Sequence, residues 1–196
     1  MSTNLIGNLS KGLLFIVSAP AGTGKTTLVQ LLTRDFPSVL ASISYTTRQP
    51  RSGEVDGIHY YFISKEEFEK RIQDNDFLEH VKLYGDYYGT SKSWVGEKLN
   101  QKKHVILVID TQGAKLLRDK IDVISIFVAP PSIEELERRL KLRQTESDEV
   151  IEKRLKWAKK ELEAQDSYDY LIINDDLAKA YQTLRSILIA EEHRIR

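Results

Sequence analysis

Cysteine is absent from the 196-residue chain. Neither a disulfide nor a thiolate metal site can form, and the composition fits a reducing compartment. A surplus of either charge is absent too, since 29 Lys and Arg balance 29 Asp and Glu. A broad nucleic-acid-binding face would show as a basic excess, so no nucleic-acid partner is expected. Long apolar runs are missing: the stretch at 13–17 falls far short of the roughly 20 residues a spanning helix needs. Met1–Gly12 is polar with isolated Leu and Ile residues, which suits neither a signal peptide nor a membrane anchor. These absences imply a cytoplasmic protein without a membrane partner, with 1–12 as a flexible N-terminal extension. The four histidines lack metal-ligand spacing, and no repeat or low-complexity stretch occurs. One compact domain over 13–196 remains, long enough to bury about 70 % of its unfolded surface without staples.

What is present begins with Leu13–Val17, an apolar run that empties into Ala19-Pro20-Ala21-Gly22-Thr23-Gly24-Lys25-Thr26. The pattern reads as a buried strand, a glycine-rich turn and a helix opened by Lys25, Thr26 and Thr27. Gly22 and Gly24 let backbone N–H groups close around phosphate oxygens. The helix N-terminus behind them adds unpaired donors and a favourable dipole. Lys25 can reach the terminal phosphates, and the Thr26 hydroxyl can ligate magnesium. Ala19 stands where the strict phosphate-loop formula has its first glycine, the smallest available departure. The loop with its strand and helix implies binding of a nucleoside triphosphate.

Further strand-like runs occur at Val105–Ile109, Val123–Val128 and Tyr170–Ile173, short and rich in β-branched residues, as in strands buried on both faces. Helical patterns separate them. Ser132 with Glu135 resembles a capping box opening a helix to about Leu142. Asp148 to about Gln165 carries Val150, Ile151, Leu155, Ala158 and Leu162 near helical spacing, and Leu177–Glu192 carries Leu184, Ile187 and Leu188. Trp94 and Trp157 sit in amphipathic patterns and read as packing residues. This alternation predicts an α/β fold with a parallel sheet covered on both faces. Residues 42–90 break the rhythm with short alternating segments, four glycines and one helix at Ser64–Asp74, where Ser64 and Glu67 form a second capping-box pattern. They read as a small β-rich insertion.

Within the insertion, Arg48 and Arg51 flank Pro50 on a stiff loop, and Tyr60 offers a hydroxyl. Arginine forks suit phosphate because they donate two bonds at fixed geometry and stay charged. Beside a phosphate loop such a segment reads as a second anion site, although two arginines near a proline also suit a solvated loop. Asp110 ends a buried strand at the edge where open α/β sheets bind ligands.

The phosphate loop, the segment Thr46-Thr47-Arg48…Arg51…Glu54…Gly57…Tyr60-Tyr61-Phe62, and then Tyr87-Tyr88-Gly89-Thr90, Ile109-Asp110-Thr111-Gln112-Gly113, Ala129-Pro130-Pro131-Ser132 and Ile173-Asn174-Asp175-Asp176 resemble the guanylate kinases in content and order. The resemblance covers nearly the whole chain beyond residue 12. It implies a three-layer αβα phosphate-loop kinase fold with a GMP-binding insertion at about 42–90 and a helical lid at about 138–160. It also implies transfer of a phosphoryl group from ATP to GMP with magnesium as cofactor, dGMP being a possible acceptor, in a monomer or homodimer. By position, Arg48, Arg51, Tyr60 and Tyr88 would hold the GMP phosphate. Ser44, Glu79 and Asp110 would meet the guanine edge, with Glu54 and Thr90 near the same pocket. With Val108 in place of the family's usual acid, either Asp110 takes on part of ordering the water around magnesium or metal binding is looser. Ala19 to Thr27 would bind ATP; Asn174 would line the adenine pocket or simply turn the chain. Arg139, Arg143 and Arg154 would close over the transferred phosphoryl group, while Arg138 reads as solvent-exposed.

Two positions depart from the family pattern. Val108 stands where an acid is usual two residues before Asp110, and Gln144 follows Arg143 where glycine is usual. Other readings stay open at this point: a non-catalytic interaction module on the same fold, or a kinase of another nucleoside monophosphate. The intact phosphate loop speaks against the first, and the Arg48–Tyr60 segment with its paired acids against the second.

Overall fold

A computed structural model describes residues 5–83, 85–142 and 148–195. The core is a parallel sheet of β1 (Leu14–Ser18), β2 (Val39–Ala41), β7 (His104–Val108), β8 (Ile124–Ala129) and β9 (Tyr170–Ile173), ordered β2-β7-β1-β8-β9. From β1 the chain first crosses to β2 at one edge and later returns on the other side of β1 through β8. A topological switch point therefore lies at β1, and its crevice opens at the carboxyl ends of the strands.

Every residue of β1 is buried, and alternation sorts them to two faces. Phe15 and Val17 pack with Leu28 and Leu32 of α1 (Lys25–Asp35) and Leu184 and Leu188 of α7 (Leu177–Glu192). Leu14 and Ile16 join Val105, Leu107, Val95 of α3 (Lys92–Asn100) and Ala114 and Leu117 of α4 (Thr111–Arg118) on the opposite face. A side chain of this kind withdrawn from water contributes about 1.5–3 kcal/mol. The expected parallel sheet with helices on both faces is what forms. A third cluster, Leu136, Leu140, Ile151 and Ala158, joins α5 (Ile133–Leu142) to α6 (Asp148–Leu162).

The β-rich segment forms a separate sheet ordered β4-β3-β6-β5, from β3 (Tyr45–Thr46), β4 (Tyr61–Phe62), β5 (Phe77–Leu83) and β6 (Asp86–Ser91), with α2 (Lys65–Gln73) alongside. Phe68 of α2 stacks on Phe77 and Tyr87, giving this sheet its own small aromatic core.

Several expectations need correction. The N-terminal extension is held to the core from Leu5 onward rather than free: Ile6 is buried in the α1–α7 cluster, and the Gly7 and Asn8 amides donate to Glu192 Oε1 at 2.8 and 2.6 Å. Both capping boxes are half formed. Ser64 and Ser132 accept from Glu67 N and Glu135 N, but the glutamates turn away to arginines, Glu67 to Arg71 and Glu135 to Arg138 and Arg139. A charged partner outcompetes a lone backbone amide. The buried stripe of α6 is rotated from the expected one, with Val150 exposed and Glu161 buried.

Candidate active site

Ser18 delivers the chain from β1 into the turn. Thr23 Oγ1 donates to Pro20 O at 2.9 Å, and the fully buried Thr23 thereby closes the loop on itself. Asn174, just beyond β9, donates through Nδ2 to Thr23 O at 2.6 Å and ties the sheet's far edge to the loop. Gly24 has φ +91°, and a Cβ there would lie 2.6 Å from Asn174 Nδ2. Glycine is thus required on two counts, conformation and space. Gly24 is also the N-cap of α1 and offers no side chain to the helix, so the first-turn amides stay available to an anion. Lys25 Nζ donates to Ala19 O at 3.2 Å.

On one side of the loop a groove is lined by Gly22, Gly24, Thr27, Arg139, Leu142, Asn174 and Asp175. Arg139 is fastened there, through Nε to Glu135 Oε1 at 2.8 Å and through Nη2 to Asn174 O at 2.9 Å. It stands beside the loop and Asn174, held away from the second cavity. Arg138, as expected, is solvent-exposed and paired with Glu135. Arg154 is half-buried on α6, and Arg143 and Gln144 lie outside the described residues.

On the other side a cavity of about 270 Å³ lies between the two sheets. Lys25, Thr26, Ser44, Tyr60, Glu79, Tyr88, Val108 and Asp110 line it. Asp110 caps α4, its Oδ1 accepting from Gly113 N at 2.9 Å, while its Oδ2 is buried without a hydrogen-bond partner among the described residues. Burial raises the Asp110 carboxyl above the usual aspartate range, against the α4 amides and Lys25, which pull it down. Glu79 is 6 % exposed. Burial raises its carboxyl to about 7; Thr90 Oγ1, donating at 2.7 Å, works against this and nearby Asp110 adds to it. A Cβ at position 113 would meet Glu79 Oε2 at 2.8 Å, so glycine lets the start of α4 approach this acid.

Two residues expected at the pocket serve it from behind. Thr90 is fully buried and spends its hydroxyl on Glu79. Glu54 binds Arg48 Nη2 at 2.9 Å and accepts from Arg51 N at 2.7 Å, bracing the arginine loop. Arg48 lies 5.4 Å above the ring of Tyr60, which lines the cavity. Val108 faces the same cavity as Thr26, with apolar packing toward α1 where an acid is usual.

Sequence reasoning passed over Glu161 and Tyr168. Tyr168 packs on the sheet face opposite α1, Glu161 is buried on α6, both interact electrostatically with Asp110, and neither belongs to a recognisable motif.

A parallel sheet that feeds a glycine turn into a helix N-terminus, with an acid-lined cavity facing the same lysine, defines a phosphate-loop kinase fold. A family model described as Guanylate kinase matches residues 11–191, and the chain belongs to that family. It is 64 % identical over 189 residues to a guanylate kinase of Protochlamydia amoebophila (strain UWE25), covering 96 % of each chain. It is 53 % identical to a guanylate kinase of Chlamydia felis (strain Fe/C-56), over 92 % of this chain and 89 % of that one. Among solved structures, guanylate kinase from Anaplasma phagocytophilum matches with a TM-score of 0.78 at 33 % identity, over 94 % of this chain and 88 % of that one.

Proposed function

We propose that this chain transfers the γ-phosphoryl group of ATP to GMP, giving ADP and GDP by direct in-line transfer. One observation carries the acceptor assignment: two acids, the buried Glu79 and the half-buried Asp110, face one cavity with Lys25 and Thr26. Guanine offers N–H donors at N1 and N2, which match carboxylate acceptors, while the Ser44 hydroxyl suits O6. Adenine would leave the acids unpaired, a mismatch that discriminates on the order of 10⁴-fold. Arg48, Arg51, Tyr60 and Tyr88 bind the GMP phosphate in this reading. The amides of the phosphate loop hold ATP, and Arg139 and Asn174 border the adenosine side.

The nucleophile is a GMP phosphate oxygen, already an anion near neutrality, so no general base is needed. The protein positions the two phosphates and neutralises the charge that develops between them. Lys25 does this from the loop and Arg154 from α6, with the 138–160 segment acting as the lid and 42–90 as the GMP-binding unit. The residues fit a magnesium ion carried in with ATP. Thr26 supplies a hydroxyl and Asp110 an unpartnered buried oxygen, and no group of three acidic or histidine ligands exists among the described residues to hold the ion alone. Magnesium, when bound, offsets phosphate charge. No helix among the described residues is long and apolar enough to cross a membrane, and we place the enzyme in the cytoplasm.

The deciding experiment is an ADP-release assay with GMP, AMP, CMP and UMP as separate acceptors. GMP alone should support turnover. Activity with AMP and not GMP would overturn the acceptor assignment, and phosphopeptide binding without turnover on any acceptor would favour the interaction module.

Glu79 adds a pH test. Its carboxyl, raised to about 7 by burial, is neutral at lower pH, and a neutral carboxyl is the poorer acceptor for guanine N–H groups. The KM for GMP should therefore rise about tenfold between pH 8 and pH 6. Glu79→Gln should raise KM at pH 8 and flatten this dependence. The sign for the empty protein is opposite. The folded value lies above the ordinary carboxyl value of 4.5, so Glu79 costs stability progressively as pH rises from 4.5 through about 7. Glu79→Gln should accordingly melt higher than wild type at pH 8. A KM that follows pH identically in both proteins would exclude Glu79 from guanine recognition.

A further inference from the structure

Glu135 lines neither the groove nor the cavity, and its carboxylate is taken up by arginines. Oε1 accepts from Arg139 Nε and from Arg138 Nη2, both at 2.8 Å, and Oε2 accepts from Arg138 Nε at 2.7 Å. The bonds from Arg138 and Arg139 hold the carboxyl down to about 2, so it stays ionised at any pH suited to assay. Read locally this is a helix-start ion pair, a glutamate four positions before an arginine, and Glu67 with Arg71 repeats it on α2. Such pairs are mostly solvated and contribute little.

Arg139 departs from that pattern at its far end. Its side chain is 22 % exposed, against 62 % for Arg138. Nη2 donates to Asn174 O at 2.9 Å, across 35 positions of chain. That carbonyl is a fixed point, because Asn174 N donates to Ala129 O at 2.8 Å and Asn174 Nδ2 to Thr23 O at 2.6 Å. Nε is therefore tied to the first turn of α5 and Nη2 to the residue that braces the phosphate loop. With both ends held, the guanidinium plane is set as one wall of the groove, beside Gly24, Thr27 and Asn174. With the Asn174 bond alone it could pivot, and a long side chain regains much rotamer freedom that way.

We propose that Glu135 is a positioning residue for the donor nucleotide: by fixing Arg139 Nε it presets the guanidinium as the wall against which the nucleoside part of ATP rests. The inference rests on the phosphotransfer reading above, which puts ATP in this groove. Without Glu135, ATP itself must order the arginine. That cost falls on donor binding and spares GMP, whose cavity lies on the other side of the loop.

The test is steady-state kinetics of Glu135→Ala with ATP and GMP varied in turn. The KM for ATP should rise about five- to tenfold. The KM for GMP, and kcat at saturating ATP, should stay within about twofold. Glu135→Gln keeps an oxygen that Nε can reach and should raise the KM for ATP less than about threefold. Arg138→Ala, which leaves Glu135 wholly to Arg139, should change it less than about twofold. In an Arg139→Ala background, Glu135→Ala should add less than about twofold, because the group it sets is gone. A KM for ATP within twofold of wild type in Glu135→Ala would overturn the proposal. Equal rises in both KM values would overturn it in favour of a general loosening of α5, as would an effect that persists in full without Arg139. Arg138→Ala matching Glu135→Ala would overturn it too, since the effect would then belong to the surface charges. A wild-type enzyme inactive on every acceptor would remove the phosphotransfer reading and this inference with it. An active wild type with an unaffected Glu135→Ala removes this inference alone.

Discussion

Lys25→Ala should lower kcat for GMP phosphorylation by about 10³-fold or more, with the dissociation constant for GMP changed by less than about fivefold. The size of the first effect follows from where the ammonium sits. Lys25 opens α1, and its Nζ rests on Ala19 O at 3.2 Å, beside the first-turn amides that would receive the phosphates. From that place it can follow the transferred group through the reaction, and an interaction stronger in the transition state than in the ground state appears in kcat. A loss of 10³-fold is about 4 kcal/mol, a scale known for preorganised donors in sites that exclude water. The second effect is small because GMP has its own contacts. In the proposed reading its base would meet Glu79 and Asp110, and its phosphate Arg48, Arg51 and the tyrosines, none of which is held in place by a hydrogen bond from Lys25. Glu54, not Lys25, braces the arginine loop, and Thr90 and Gly113 set Glu79. Kinetics with a direct GMP titration by calorimetry would separate the two effects. A fall in GMP affinity as large as the fall in kcat would mean that donor and acceptor sites are not divided at Lys25.

The parts legible in the sequence are those whose physics is local. Gly22, Gly24 and Lys25 announce a phosphate loop because turn, helix start and cation are neighbours in the chain. The β1 run was readable for the same reason, as burial on both faces leaves no polar alternation. Strand limits moved by a residue, with Ser18 and His104 joining strands as polar ends that an apolar reading omits. Glu161 was hidden because α6 offers both Glu161 and Leu162 near its buried stripe, and periodicity favours the leucine. Glu54 and Thr90 are expected near the pocket, but their supporting positions depend on contacts with Arg48 and Glu79 that spacing does not reveal. The N-terminal extension misled for a related reason, since a polar segment with a single Ile6 shows no local sign of the carboxyl group that holds it.

That carboxyl group carries the largest expected effect on stability. Glu192→Ala should destabilise the protein by roughly 2–4 kcal/mol and lower its melting temperature by about 5–15 °C. Glu192 ends α7, and its side chain is fully buried between three elements. Oε1 accepts from the Gly7 and Asn8 amides, and Oε2 lies 2.8 Å from His104 Nε2 at the start of β7. The other ring nitrogen, Nδ1, accepts from Leu13 N at 3.0 Å, so Nε2 is the nitrogen that carries a proton toward Glu192. One carboxyl therefore joins the N-terminal segment, the lead-in to β1, β7 and α7. Alanine would take away the carboxylate that faces the buried imidazole at 2.8 Å and leave a cavity where the side chain had been. Water can reach the amides of the exposed Gly7 and Asn8, which keeps the loss below the sum of three orphaned donors. Glu192→Gln retains an acceptor and the volume, so it should cost less than half as much. The whole cluster sits at the strand ends opposite the phosphate loop, and kcat measured well below the melting temperature should stay within about twofold of wild type in both variants. Urea titrations of the three proteins would read the stability difference directly. Equal stability of Glu192→Ala and wild type would show that the N-terminal segment does not depend on this carboxylate.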